Sequence, residues 1–382
     1  IIYSLGLFMG IGGSVLYSSE KGRRENGCCN EFFSTALLGT AALAAIAWTG
    51  IVFFGEPLLR LFGAEQTLLP LTKAYLFPIK IVIPVFVFNQ MLAAFLRNDN
   101  APGLATAAVL GGGIFNVFGD YFFVFAMDMG ILGAGLATAA GACITLLIML
   151  THFFSKRCTL KFVSIHYLFI KVKGILTTGF STFFVDLAVG IMTMLFNRQI
   201  VRYLGTDALS VYGLIVNISM FVQCCAYSVG QASQPIFSIN YGAEHWGRMK
   251  ETLKYALGTV AFFGIFWTTL VVLVPNGFVR IFMKPTEEVL QIAPSIMRCY
   301  GISFLLLPLN IFSTYYFQSL MKPAASFVVS VGRGLVISGA LIMLLPTVAK
   351  ADFIWFSMPV TEIVIAVFVI YMMVRYTKRL AK

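Results

Sequence analysis

The sequence predicts an all-α integral membrane protein made of two pseudo-symmetric helical lobes, and three observations predict it. Apolar residues fill 59% of the 382 positions and charged ones only 11%, too few charges to clothe a water-soluble surface of this size. Residues 32–55, 100–119, 129–155, 208–243, 255–279 and 299–321 hold no Asp, Glu, Lys or Arg, and a hydrocarbon core about 30 Å thick takes roughly 20 helical residues to cross. Finally, the chain repeats itself: Gly10, Ser18, Gly22 and Gly27 match Gly230, Ser238, Gly242 and Gly247 at a constant offset, 230 − 10 = 220. Arg60-Leu61-Phe62 and Arg280-Ile281-Phe282 keep that offset, and Pro102 and Pro323 hold it to within one residue. Short alternating segments of about ten residues would mark a barrel; long clean runs mark helices, which satisfy their own backbone in lipid.

Charges and turn residues bound the spans, predicted at 1–18, 32–55, 70–96, 102–127, 130–154, 174–202, 207–240, 255–279, 292–321, 324–348 and 351–375. The third ends at Arg97 and Asp99, the fourth opens at Pro102, where a missing N–H costs a helix nothing, and the fifth opens at Gly130. The tenth follows Lys322-Pro323. Eleven is odd for a duplicated chain: the second half opens near Val172, whose partner would fall at 172 − 220 = −48. The expectation is a twelve-span architecture, six per half, lacking here its first helix and part of the next, with Ile1 matching Phe221. No basic region precedes the first apolar stretch, so no signal peptide is expected.

Seventeen Lys and Arg, among them Lys21, Arg24, Lys156 and Lys382, fall on one side of these spans and seven, among them Arg60 and Lys350, on the other, so the first side is predicted to be cytoplasmic. The expected organisation is an N-terminal lobe over 1–154, a basic cytoplasmic linker over 155–173 and a C-terminal lobe over 174–382, in a bacterial inner membrane with cytoplasmic termini. The formal charge of +11 follows this topology and does not call for nucleic acid. The seven cysteines, including the adjacent pairs Cys28-Cys29 and Cys224-Cys225, show no metal-ligand spacing and read as reduced packing residues.

Asp120, Asp186 and Glu362 are the acids that fall well inside spans. A carboxylate in hydrocarbon is costly, so each should face protein and either bind a cation or be protonated. Asn116 precedes Asp120 by one helical turn, on the same face, and Gly111-Gly112-Gly113 permits close approach of another helix; the competing reading is a hydrogen bond that locks two helices. Asp186, about three turns before Asn197, is either a second cation site or the partner of Arg298 or Arg333. Glu362 reads as pairing and packing, with Arg333. Asn217, Gln223, Gln231 and Gln234 run along the longest charge-free stretch, where Pro235 frees a backbone carbonyl; they either border a substrate cleft or glue helices together, and Asn89 and Gln90 take the same two readings. The 37 Phe suit a cavity for flat cationic compounds, without singling out one ring. His152, His166 and His245 read as solvated residues near the cytoplasmic boundary.

The run from Asn116 to Thr138, NVFGDYFFVFAMDMGILGAGLAT, resembles the pattern of multidrug and toxic compound extrusion (MATE) transporters, an Asn-x-x-x-Asp followed by Gly-Ile-x-Gly-Ala-x-x-Ala-Thr. Asn197-Arg198-Gln199, Gly230-Gln231, Gln234-Pro235, Asn240-Tyr241-Gly242-Ala243, Gln318-Ser319 with Lys322-Pro323, and Pro359 with Glu362 look like the bacterial branch of that family. Ile354 departs from it, standing where a Gly is common before Trp355. The resemblance implies a MATE-like twelve-span fold and a polar pocket in the N-terminal lobe formed by Asn116, Asp120 and Thr138 with an acid of the first helix. It also implies that Arg333 occupies a frequently basic position.

The function expected on these grounds is a secondary active antiporter that exports cationic amphipathic compounds in exchange for protons or sodium. It would act as a monomer, without cofactor or metal, driven by an ion gradient. Two alternatives stand beside it. A lipid-linked oligosaccharide flippase would call for a basic cleft, whereas only Lys80, Arg298 and Arg333 lie within spans. An intramembrane enzyme would call for motifs that Phe118-Gly119-Asp120-Tyr121 and Gly12-Gly13-Ser14-Val15 do not match.

Overall fold

The computed structural model describes residues 2–23, 29–61 and 69–379; Gly27 and Phe62 of the internal repeat, with Arg24, Cys28 and Lys382, lie outside them. The chain divides into two compact units, Ile1–Phe183 and Phe184–Lys382. The described residues are almost entirely helical, without a strand, and eleven helices are long and apolar enough to cross a membrane.

The first unit contains α1 (Ile2–Arg23), α2 (Cys29–Leu61), α3 (Leu69–Asn98), α4 (Pro102–Asp120), which continues as a π-helix over Tyr121–Ala126, and α5 (Gly130–Leu150). The first part of α6 (Leu168–Tyr203) completes it. The second unit takes the rest of α6 and holds α7 (Thr206–Gly242), α8 (Trp246–Leu273), the short α9 (Pro275–Phe282), α10 (Glu287–Gly301) and α11 (Leu307–Ser319). It closes with α12 (Pro323–Val331), a π-turn over Gly332–Val336, α13 (Ile337–Val348) and α14 (Ser357–Arg379).

The duplication is visible in how each unit packs internally. In the first, α1 contacts α2 and α3, α3 contacts α5, and α4 contacts α5; in the second, α7 contacts α8 and α11, α11 contacts α14, and α13 contacts α14. Gly10 and Gly230 occupy the same place in this scheme. A Cβ on Gly10 would stand 2.8 Å from Met91 Cα, and one on Gly230 would stand 2.5 Å from the Tyr315 ring, so in each unit the repeated glycine is where the first repeat helix meets the third. Large apolar side chains such as Phe53, Phe77, Phe118 and Phe125 are exposed, as hydrocarbon surroundings allow.

Span positions differ from expectation mainly at 255–279. The helix begins instead at Trp246 and stops at Leu273. Arg248, Lys250 and Lys254 are exposed, so charge at its start meets water without ending the helix, while Pro275 stops it: its ring clashes with the preceding turn and it brings no N–H.

The segment between α5 and α6 is held against the first unit by its own backbone. Thr159, Lys161 and Val163 donate their N–H groups to Asp99 Oδ2 (2.8 Å), Asn30 Oδ1 (3.0 Å) and Ser34 Oγ (2.9 Å), and His166 N–H reaches Glu31 Oε2 at 2.9 Å. Alternate residues donating to one side is the pattern of extended chain, and side chains of α2 and the α3–α4 turn stand in for the missing sheet partner.

Candidate functional site

Four helices of the first unit border a half-open cavity of about 210 Å³, lined by Phe86, Asn89 and Gln90 of α3, Gly112, Gly113 and Asn116 of α4, and Thr138, Gly141 and Thr145 of α5, with Tyr3 of α1. Glycines set its back wall. A Cβ on Gly141 would come to 2.7 Å from the Gly112 carbonyl, so α4 and α5 meet backbone to backbone at the cavity wall. Asn116 Nδ2 donates to Thr138 Oγ1 at 3.2 Å, and the Thr138 hydroxyl donates back to the Ala134 carbonyl at 3.0 Å. Tyr75 places its hydroxyl 3.5 Å from the same oxygen. Asn89 Nδ2 donates to the Ala142 carbonyl at 2.9 Å. The rings of Tyr3 and Phe86 stand 5.1 Å apart and form an aromatic wall.

Asp120 follows Asn116 by one turn at the last α-helical position of α4, half-buried, and the π-helix opens at Tyr121. Such wide turns shift the phase of a helix and recur at functional sites. Asp120 Oδ1 and Asn89 Oδ1 are both buried and meet no donor among the described residues. Buried acceptors are ordinarily paired; what each of these lacks is a proton donor or a cation.

In the second unit a smaller cavity of about 80 Å³ is lined in part by Thr193, Tyr212, Ser219, Gln223, Tyr300 and Arg333. Arg333 lies in the π-turn of Gly332–Val336. Its Nε reaches Glu362 Oε1 at 2.7 Å, and Asn310 Nδ2 donates to Glu362 Oε2 at 2.6 Å and to the Glu362 carbonyl at 2.9 Å. Glu362 and Asn310 are fully buried. Asp186, half-buried on α6, lies within electrostatic reach of Tyr227, as does Arg333, while Arg298 donates instead to the Val272 carbonyl at 3.2 Å.

The structure therefore brings Asn89, Gln90, Asn116 and Thr138 around one cavity, sets Asp120 a turn away, and gathers Gln223, Arg333 and Glu362 in the other unit. It does not bring the remaining amides to either cavity. Asn197 and Asn217 are exposed, Asn217 donating to the Gly213 carbonyl at 3.0 Å, and Gln231 is half-buried. Gln234 is buried in the seam of α7 and α11, where its carbonyl accepts from Ser319 Oγ at 3.4 Å. Asn310 carries no signal of its role beside Glu362 in the sequence, being an amide with no acid at helical spacing.

One expectation is corrected. His152 is not solvated: it is 2% exposed and its Nε2 lies 2.9 Å from Asp99 Oδ2. The segment carrying Thr159 folds back over it, a contact that position at a span's end does not reveal. Asp99 also receives Lys21 Nζ at 2.9 Å, Tyr17 OH at 3.1 Å and the Thr159 hydroxyl. Asp99, His152 and Cys158 hold three potential metal-ligating atoms within 4.8 Å of one another, but the ammonium and hydroxyl donors already fill the carboxylate.

A duplicated, multi-pass helical membrane protein with a polar cavity among its spans belongs to the class that moves solutes across bilayers. The family model MatE matches residues 1–122 and 181–342, and the chain belongs to that family. It is 23% identical over 372 residues to a multidrug export protein, MepA, of Staphylococcus saprophyticus, covering 96% of this chain and 81% of that one. A MepA of Staphylococcus aureus is 21% identical over 360 residues, covering 93% and 78%. Among solved structures, an outward-facing MATE transporter of the MOP superfamily superposes with a TM-score of 0.90 at 18% identity, covering all of this chain and 86% of that one. The MATE multidrug transporter DinF-BH in complex with R6G gives 0.87 at 25% identity, covering 98% and 84%. The bacterial relatives accord with the branch that the sequence motifs resemble.

Proposed function

We propose that this protein is a multidrug exporter that drives cationic amphipathic compounds out of the cell by exchange for protons. The observation that carries the reading is the buried oxygen of Asp120 that meets no donor among the described residues, one turn from a cavity walled by Tyr3, Phe86, Asn89, Gln90, Asn116 and Thr138. A charged Asp120 attracts a cationic ligand whose flat face lies on the aromatic wall. Protonation removes that attraction and supplies the donor its buried oxygen lacks, so the two charge states favour different arrangements of α4 about its π-turn. The coupling is reciprocal: a proton that weakens the drug is itself weakened by the drug.

Protons suit the neighbouring groups better than sodium. The Asn116 amide nitrogen and the Thr138 hydroxyl already donate to Thr138 and Ala134, and a lone carboxylate beside an amide offers few oxygens to a sodium ion, whereas a proton needs only the carboxylate. The exporters among its relatives support the substrate class. Asp186 would be a secondary cation-responsive group in the other unit.

The test is efflux of a cationic dye from vesicles holding the full protein, with proton and sodium gradients imposed separately. Export should follow the proton gradient and fall by at least tenfold in Asp120→Asn, about 1.4 kcal/mol of lost coupling. Efflux that is unchanged in Asp120→Asn removes Asp120 from the mechanism, and efflux driven by sodium alone replaces the coupling ion.

A further inference from the structure

On the second unit, α8, α11 and α14 leave an open groove of about 630 Å³ between them. Leu253, Leu257 and Ile265 of α8 run along it, Leu305 and Leu309 close its inner end, and Lys378 stands at its outer end. We propose that this groove binds one anionic phospholipid, with an acyl chain laid along α8 and the phosphate held by Lys254 and Lys378.

Length, polarity and charge argue for that occupant. From Leu253 to Ile265 the groove follows α8 for twelve residues, about 18 Å at the helical rise. One leaflet of hydrocarbon is about 15 Å deep. The inner end is shut, because Gly264 brings α8 so close to the turn before α11 that a Cβ there would meet the Leu305 carbonyl at 2.5 Å. The walls are apolar until Thr377, whose hydroxyl is already paired with Tyr316 at 3.1 Å. That leaves the charged side chains to hold a headgroup.

At the same end Arg248, Lys250, Lys254, Arg375 and Lys378 are all exposed, against the exposed acids Glu244 and Glu251. An apolar slot one leaflet deep under a basic rim matches a lipid with an acidic headgroup and a long chain. It does not match a zwitterionic lipid as well, since the rim then gains little.

Native mass spectrometry of the detergent-solubilised protein, with phosphatidylglycerol and phosphatidylcholine of the same chains added in equal amounts, tests this. The wild type should retain one phosphatidylglycerol in preference to phosphatidylcholine. Lys378→Ala and Lys254→Ala should each lower that preference about fivefold, leaving residual lipid of either kind. Ala261→Phe, which fills the groove from an exposed position, should abolish retention of both lipids while the melting temperature in lipid-free detergent stays that of the wild type. Equal retention of the two lipids by the wild type overturns the proposal, as does full retention by Ala261→Phe. A dimer in the wild type that Ala261→Phe dissociates would assign the groove to a second copy of the chain and overturn it too.

Discussion

Thr159 is joined twice to Asp99, sixty residues earlier: its backbone N–H donates to Oδ2 at 2.8 Å and its hydroxyl to Oδ1. With Lys21 of α1 and His152 after α5 on the same carboxylate, one side chain in the α3–α4 turn gathers two helices and the segment that leads into α6. Removing it strands an ammonium and several donors together. Asp99→Ala should therefore cost about 3–5 kcal/mol, the range for breaking a buried pair on one side, seen as a lower melting temperature in detergent. It should also free the following strap, so that trypsin cuts faster after Lys156, Arg157 and Lys161. Cleavage at the wild-type rate would mean that Asn30, Ser34 and Glu31 hold the strap without Asp99.

The same carboxylate makes a pH prediction with a definite sign. Burial opposes the charge of Asp99, but hydrogen bonds from Thr159, His152 and Lys21 outweigh it and hold the carboxyl below its ordinary range. A group whose pKa is depressed by folding contributes stability that is fully present above the unfolded value, about 3.9 for Asp. That contribution is lost as pH falls through the lower folded value. Between pH 5 and 8 Asp99 should leave stability unchanged. Below about pH 4 the wild type should lose stability more steeply with acid than Asp99→Asn, which has no such proton to take up; parallel acid limbs in the two melting profiles would contradict the assignment.

In the second unit, Glu362 is held from two sides, by Arg333 and by Asn310. Glu362→Gln would leave a guanidinium in the interior without its counter-charge, at a cost of about 3–5 kcal/mol. Replacing both partners, Arg333→Met with Glu362→Leu, removes the charge together with its need for a partner and should cost less than the two single changes summed. A double-mutant cycle on thermal unfolding measures this; strict additivity would show that the 2.7 Å contact carries no coupling.

Much of this architecture could be read from the chain because the bilayer enforces it. A hydrocarbon core admits helices of fixed minimum length, so charge-free runs locate spans, and the 220-residue repeat places Gly10 and Gly230 at equivalent contacts. Helical spacing put Asn116 and Asp120 on one face. What composition and spacing could not supply are partners far apart along the chain: Asp99 with His152 and Thr159, or Asn310 with Glu362. Thr138 entered through family resemblance, and its 3.2 Å contact with Asn116 at the cavity gives it a physical role. The amides of α7 were indistinguishable in sequence because a cleft residue and a helix-gluing residue share the same chemistry. Burial separates Gln234, sealed between helices, from Gln223 at a cavity.

The three consecutive glycines Gly111, Gly112 and Gly113 of α4 offer a sharper test, because the sequence treats them alike and the structure does not. A Cβ on Gly112 would run into the Gly141 carbonyl at 2.5 Å and the Thr145 side chain, one on Gly111 would come to 3.2 Å of the mobile end of Ile148, and one on Gly113 would meet nothing within 4 Å. Gly112→Ala must push α4 off α5, since backbone cannot yield as a side-chain tip does. It should cost at least the roughly 1–3 kcal/mol typical of overpacking and open the Asn116–Thr138 contact. Gly113→Ala should fold as the wild type does, and Gly111→Ala should fall between them as Ile148 changes rotamer. Melting temperatures in that order, with dye efflux lost first in Gly112→Ala, would show that the close approach of α4 and α5 builds the cavity; equal behaviour of the three variants would show that it does not.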